Sequence, residues 1–261
     1  MPKWRRKRLS ADALPPGWPQ GVARILLDTV DSTNAYAARL APTQPTWIMA
    51  TEQTGGRGRR GRPWNSPRGN FYATLALQPT EAADQVALRS FAAALALRDA
   101  CISLTGLTTG FALKWPNDVL LNGGKLAGIL LESSGAGQRI QTLAIGTGVN
   151  LIAAPTPDQV EPTATPPVSL LGETGTRVTP ETFLTHLARA YAQWETTFTT
   201  TGFAPLRAEW LAHAARLGET ITARTGTQTE TGVFETIDET GALILKTSHA
   251  RRAIPAAEIF F

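Results

Sequence analysis

Cysteine and histidine are scarce in this 261-residue chain, with one and three copies. A single cysteine, Cys101, excludes an internal disulfide framework and suits a reducing, cytoplasmic compartment. His186, His213 and His249 stand apart from every motif considered below, which leaves no convincing Ser–His–Asp or Cys–His set for nucleophilic catalysis. Long apolar runs are missing too. The best candidate, "FAAALALRDACISL", is broken by Arg98 and Asp99 and falls short of the ~18–20 residues of a membrane helix. No apolar stretch follows the basic start "MPKWRRKRL", so no signal peptide is expected, and no internal repeat is visible.

What is present is a globular composition, 43% apolar and 18% charged, on a chain long enough for one large domain plus a small one. The net charge of +4 is unevenly placed: residues 3–8 carry five basic groups and residues 57–62 carry four. Without those nine the chain has 16 basic against 21 acidic side chains. Local basicity of this kind points to a specific anion more than to a general polyanion-binding surface. The run at 3–8 reads as solvated, within a basic N-terminal tail at 1–20 whose order and role stay open.

Hydrophobic patterning predicts strands at 23–30, 47–53 and 71–77, with a short helix after the first, capped by Asp31 or Ser32. A mostly buried helix follows from Val86 to about Leu104 and contains Cys101 as a small core residue. Residues 110–135 read as strand, turn, strand, turn, strand; Asn122-Gly123 supplies a two-residue hairpin and Pro116-Asn117-Asp118 the preceding turn. A strand is expected within 139–153, then a loop with five prolines at 154–167. Helices follow from Thr179-Pro180 to about Phe198 and from Phe203 to near Gly218. From Gly218 onward the pattern changes to short alternating strands with glycine turns. The expected fold is α+β: a mixed, largely antiparallel sheet with helices on one face (21–217), plus a small SH3-like β-barrel (218–261).

Residues 51–67, "TEQTGGRGRRGRPWNSP", pose the functional question. Gly56 to Gly61 spell G-x-G-x-x-G, but Pro63, Pro67 and a strand follow where a dinucleotide fold needs a helix N-terminus. A phosphate loop around Lys125 fails on spacing and on the leucine that follows the lysine. A nucleic-acid arm lacks stacking aromatics and a helix-turn-helix. The remaining reading is a lid: glycine gives mobility and close backbone approach, and arginine gives charged forks for carboxylate and phosphate. Such a lid is expected to be disordered or open until it closes on ligand. The motif "KWPND" and Lys125 then add two lysines, an asparagine and an aspartate, which together suit a phosphoryl-oxygen clamp.

In order and rough spacing, "DSTN", "EQTGGRGRRGRPW", "KWPND", "GGKLAGILLE" and "IGTGVNL" resemble the bacterial biotin protein ligases, the biotin–[acetyl-CoA-carboxylase] ligases. The resemblance is dense over about residues 25–153, and the C-terminal β module is similar to the family's small barrel. It implies a two-step ligation in which biotin's carboxylate attacks the α-phosphate of ATP, with Mg²⁺, to form biotinyl-5′-AMP. A lysine of a biotin carboxyl carrier domain then attacks the acyl-adenylate, taking the acyl group and releasing AMP.

By the same resemblance, Ser32, Thr33, Asn34 and Gln53 contact the ureido ring, and Gly56, Arg57, Gly58 and Arg59 cover the biotin. Lys125 is the essential cation, and Ala127 and Gly128 are small where a strand passes the ligand. Arg59, Arg62, Trp64, Lys114, Asn117, Lys125 and Asn150 form the ATP side; Lys125, Arg59 and Asp118 are the catalytic candidates, with Asp118 orienting or deprotonating the acceptor lysine. The ligase-only type, without an N-terminal DNA-binding domain, is expected, so no DNA partner and no membrane. The metal site and the oligomeric state, a homodimer included, stay open. Two rivals also remain: a lipoate-type acyl-adenylating ligase on the same scaffold, and an arginine-loop nucleic-acid-binding module.

Overall fold

The computed structural model describes residues 14–136, 139–226 and 228–261; the basic run at 3–8 lies outside them. The first strands follow the sequence pattern closely. β1 (Ala23–Val30) pairs in parallel with β2 (Thr46–Gln53), and β2 pairs antiparallel with β3 (Phe71–Leu77). Between β1 and β2, α1 (Thr33–Leu40) starts at Ser32, whose side chain caps the Ala35 N–H. Three strands, β4 (Phe111–Lys114), β5 (Asp118–Leu121) and β6 (Gly124–Ala136), make the expected meander, and β7 (Arg139–Val149) returns to pair with β3. The sheet order is β1-β2-β3-β7-β6-β5-β4, with β1–β2 its parallel pair. Asn122 and Gly123, at φ 50° and 82°, turn the β5–β6 hairpin.

Alternation along β2 divides the packing between two faces. Trp47 and Met49 join a core with the long helices α3 (Arg89–Thr105) and α5 (Pro180–Thr201). Ile48 and Ala50 face the other way, against Ala37 of α1. The long helices therefore cover one face, as expected, and α1 is the exception; it covers the neighbourhood of the motif residues it carries.

Several boundaries differ from the sequence reading. The helix expected from Val86 is two: α2 (Ala83–Ala87), then α3, with Leu88 between them. A short α4 (Leu170–Thr174), capped by Ser169, was not foreseen. α6 (Phe203–Ala212) stops before Gly218 because the chain then pairs with the sheet edge. Leu113 N–H donates to His213 O, and Ala215 N–H to Leu113 O, each at 2.8 Å, so this segment satisfies edge groups of β4. The sequence leaves the order of residues 1–20 open; over their described part, Trp18 is buried in the main core, and its indole donates to Val22 O at 2.7 Å.

After α6, β8 (Thr220–Arg224), β9 (Thr229–Ile237), β10 (Leu243–Lys246), β11 (Arg251–Ile254) and β12 (Glu258–Phe260) form an antiparallel sheet in the order β11-β10-β9-β8-β12. Its apolar side does not close on itself alone. Ile221, Phe234, Leu243 and Leu245 belong to the same buried cluster as Leu95 and Phe183, and Trp115 Nε1 donates to Gly241 O at 3.0 Å. Among the described residues, no helix is long and apolar enough to cross a membrane.

Candidate active site

A cavity of about 820 Å³ opens where α1, the arginine loop, the β4–β6 meander, the proline-rich loop and β12 converge. Of the residues expected from the motifs, all but Ala127 reach it: Ser32, Thr33, Asn34 and Gln53 at one end; Gly56, Arg57, Gly58, Arg59, Arg62 and Trp64 on the loop; and Lys114, Asn117, Asp118, Lys125, Gly128 and Asn150 at the other end.

The polar end is almost fully buried and tightly wired. Gln53 Oε1 accepts from the Thr33 amide at 2.9 Å and the Thr33 hydroxyl at 3.1 Å, while Gln53 Nε2 donates to Ser66 Oγ at 3.2 Å. Thr74, on the next strand, donates to Asn34 Oδ1 at 2.6 Å and lies 2.8 Å from Thr33 Oγ1. Asn34 Nδ2 donates to Leu130 O and to Glu132 Oε2, at 3.2 and 2.8 Å. Three groups keep capacity toward the cavity: the Ser32 hydroxyl proton, the second Gln53 N–H and the second lone pair of Asn34 Oδ1.

Two glycines of "IGTGVNL" make room for this constellation. A Cβ on Gly146 would lie 2.4 Å from Asn34 Oδ1, and one on Gly148 would lie 2.6 Å from the Trp64 ring. Trp64 therefore lies directly on β7, and its indole N–H is buried without a hydrogen-bond partner among the described residues. An unpaired buried donor in a cavity wall is consistent with a ligand acceptor there.

Of the two states expected of the lid, disordered or open, the first is set aside, because its residues are ordered. Arg57 bridges to Pro63, and residues Arg59–Gly61 form a 3-10 turn in which Arg60 takes a positive φ of 57°. Acidic partners hold the loop down. Arg60 pairs with Glu258 at 3.1 Å, Arg62 with both Glu258 and Glu161, and Arg57 with Glu132 at 3.5 Å. Arg59 donates to Ala257 O at 3.2 Å and makes no ion pair among the described residues. Burial lowers the Arg59 pKa from its ordinary value despite the nearby charges of Asp118 and Glu258. Burial would raise Glu258, but the Arg62 hydrogen bond and the charges of Arg62, Arg60 and Arg224 hold it below the usual glutamate range.

A β-bulge assembles the cationic end. Lys125 and Gly128 are three residues apart and would face opposite sides of a regular strand. On β6 the register shifts so that Lys125 pairs with Leu120 and Ala127 with Val119, leaving Leu126 unpaired in the ladder. Lys125 and Gly128 thus both line the cavity, whereas Leu126 and Ala127 turn into the core. Ala127, expected beside the ligand, is corrected on this ground.

Lys125 Nζ lies 2.7 Å from Asp118 Oδ1, an ion pair outside hydrogen-bond alignment, and 5.6 Å from the Trp64 ring centroid. Lys114, paired with Asp118 across the β4–β5 turn, is buried, and its Nζ donates to Thr165 Oγ1 at 2.6 Å. Desolvation lowers the Lys114 pKa, against the charge of Asp118 and with that of Lys125. Asn117 Nδ2 donates to Ile129 O at 2.6 Å and Asn150 Nδ2 to Val168 O at 3.1 Å, so both amides brace the wall they line.

The arrangement has known counterparts. A model of the biotin/lipoate A/B protein ligase family matches residues 26–150, and one of the biotin protein ligase C terminal domain matches residues 217–261. A biotin--[acetyl-CoA-carboxylase] ligase of Paracoccus denitrificans is 57% identical over 238 residues, an alignment that takes in 90% of this chain and 99% of that protein. The chain belongs to the biotin/lipoate A/B protein ligase family. A second relative, the bifunctional ligase/repressor BirA of Bacillus subtilis, is 32% identical over 241 residues, 90% of this chain and 73% of BirA. Among solved structures, a biotin protein ligase from Aquifex aeolicus in complex with biotin and ATP superposes with a TM-score of 0.78 at 27% identity, over 91% of this chain and 97% of that one.

Seen as a member of this family, the chain also brings to its cavity residues that no motif announced. Glu258 and Phe260 arrive from the C-terminal sheet, and Glu161, Thr163, Thr165 and Pro167 from the proline-rich loop, for which the sequence offered no functional reading. Lys125 bridges to Pro167, which ties that loop to β6. The clue available beforehand was charge: Glu161 and Glu258 are acids in segments that end beside four arginines. The histidines stay elsewhere, His186 on Ser103 and His213 on Glu209. Among the described residues no group of three or more His, Cys, Asp or Glu is arranged to hold a metal.

Proposed function

We propose that the chain is an ATP-dependent biotin ligase that makes biotinyl-5′-AMP and passes the biotinyl group to a lysine of a biotin carboxyl carrier domain. The observation that carries this reading is the polarity of a single cavity. At one end, Ser32 O–H and Gln53 N–H are donors suited to a ureido carbonyl, and Asn34 Oδ1 is an acceptor suited to a ureido N–H. At the other end, Lys125, Lys114 and Arg59 face the cavity as cations suited to a carboxylate and a phosphate.

The first step needs no general base, because biotin's carboxylate is already a nucleophile. What it needs is orientation and a cationic surround for the α-phosphate as charge shifts to the leaving pyrophosphate. Lys125 and Arg59 serve that role, and Lys114 supports it from the hairpin. Trp64 and the lid exclude water from the acyl-phosphate, and Asn117 and Asn150 shape the adenylate side. Arg62 supports ATP less directly, since Glu258 and Glu161 already engage it. In the second step the acceptor lysine, ordinarily protonated near neutral pH, gives up a proton; Asp118 is the nearest carboxylate to the catalytic cation and takes the positioning or base role.

Mg²⁺ fits this site as the counter-ion of ATP rather than as a resident metal. Asp118 and Glu258, which line the cavity, are engaged by cations, and Mg²⁺ commonly binds through substrate phosphates and water. The catalytic unit would span residues 21–217 and the barrel-like module 218–261, acting in the cytoplasm without DNA as a partner. Incubation with biotin and MgATP should release pyrophosphate and label a purified carrier domain. Activity with lipoate in place of biotin would favour a lipoate-type ligase. Salt-sensitive nucleic-acid binding without adenylation would favour the arginine-arm alternative.

A further inference from the structure

Glu132 lies outside the cavity wall proper, yet its carboxylate touches two parts of the site. Oε2 accepts from Asn34 Nδ2 at 2.8 Å, and Oε1 lies 3.5 Å from Arg57 Nη2 of the lid. We propose that Glu132 is a specificity-determining positioning residue: by fixing which way the Asn34 amide points, it makes that position of the cavity an acceptor and selects a ligand N–H. The inference rests on the ureido reading above.

An asparagine side chain is nearly symmetric in shape and opposite in polarity at its two ends, so its neighbours decide its orientation. At Asn34 two acceptors decide it, and the Thr74 hydroxyl, which can donate or accept, fits the result. An ionised carboxylate only accepts, and so does the Leu130 carbonyl; both Nδ2 protons are therefore committed to them, at 2.8 and 3.2 Å. Thr74 completes the assignment by donating to Oδ1 at 2.6 Å. Oδ1 is left over Gly146, another cavity-lining residue, with one lone pair uncommitted. A reversed amide would point its oxygen at two acceptors and offer the ligand a donor. Of the three neighbours, Glu132 is the one whose bond is assisted by charge, and of the two acceptors that hold Nδ2 it is the one a side-chain substitution can remove.

Glu132 is also well suited to testing, because its side chain is partly exposed, 41%. Glu132→Leu removes the acceptor, whereas Glu132→Gln keeps one oxygen for Asn34 and drops the charge facing Arg57. The readouts are adenylation kinetics of the full chain with biotin and with analogues N-methylated on each ureido nitrogen in turn. Far-UV circular dichroism checks the fold of each variant. For Glu132→Leu the biotin KM should rise about tenfold with kcat changed far less, as loss of one charge-assisted hydrogen bond predicts. The preference for biotin over one of the two analogues should collapse with it, and Glu132→Gln should restore most of both. An unchanged biotin KM, or a KM rise that leaves both analogue preferences as in the parent, would overturn the role of Glu132 while leaving the biotin-ligase reading intact. No biotin-dependent adenylation by the parent chain would instead overturn that reading.

Discussion

At the residue scale, the chemistry reduces to which polar groups remain uncommitted once the wall is built. Lys125→Ala and Arg59→Ala should each lower single-turnover adenylation on the order of 10²-fold or more, as removal of one transition-state donor does. Lys114 makes a sharper test because burial lowers its pKa. A depressed amine pKa means that the cation is lost at lower pH than for an ordinary lysine. The basic limb of the adenylation pH–rate profile should therefore fall early, and Lys114→Arg, charged throughout, should shift that limb upward even if the maximum rate drops. Gly148 is the steric counterpart. Gly148→Ala places a methyl against the Trp64 ring, and the displacement should reduce adenylation on the order of 10²-fold with only modest change in thermal stability.

At the element scale, β6 and the lid show how far pattern alone reaches. Alternation and the Asn122-Gly123 turn placed the β5–β6 hairpin correctly, because both are local properties of the backbone. The same alternation could not place Lys125 and Gly128 on one face, since the bulge at Leu126 arises from pairing with β5. The lid is similar. Its composition pointed to a mobile loop, but its order comes from Glu258, Glu161, Glu132 and the Ala257 carbonyl, all distant in sequence. Glu258→Gln should release Arg60 and Arg62 and raise the KM for ATP several-fold, whereas Glu161→Gln, at a more exposed pair, should do less. The Glu258 pKa is lowered, so its contribution to stability is complete above the usual glutamate range and is lost as pH falls through the lower folded-state value. Thermal melts at stepped acidic pH should show this loss in the parent and less of it in Glu258→Gln.

At the scale of the whole molecule, the C-terminal sheet is part of the main core and of the site. Ile221, Phe234 and Leu243 pack in the same cluster as the long helices, and β12 delivers Glu258 to the lid. A chain cut after residue 217 should lose its cooperative thermal transition, measured by circular dichroism. Phe234→Ala in the full chain should destabilise by about 3–5 kcal/mol, the usual cost of emptying a buried aromatic site. By itself the sequence determined most strands and turns, the family resemblance and the motif-borne part of the cavity lining, because those follow from local backbone preferences and from motifs whose spacing is set along the chain. Only the tertiary structure decided that Ala127 faces the core and Gly128 the site, that the lid is pinned rather than loose, and that the proline-rich loop and β12 close the cavity. The lid and the closing segments depend on partners far along the chain, and the bulge depends on how β6 registers against its neighbour β5; neither leaves a period in the sequence from which to read it.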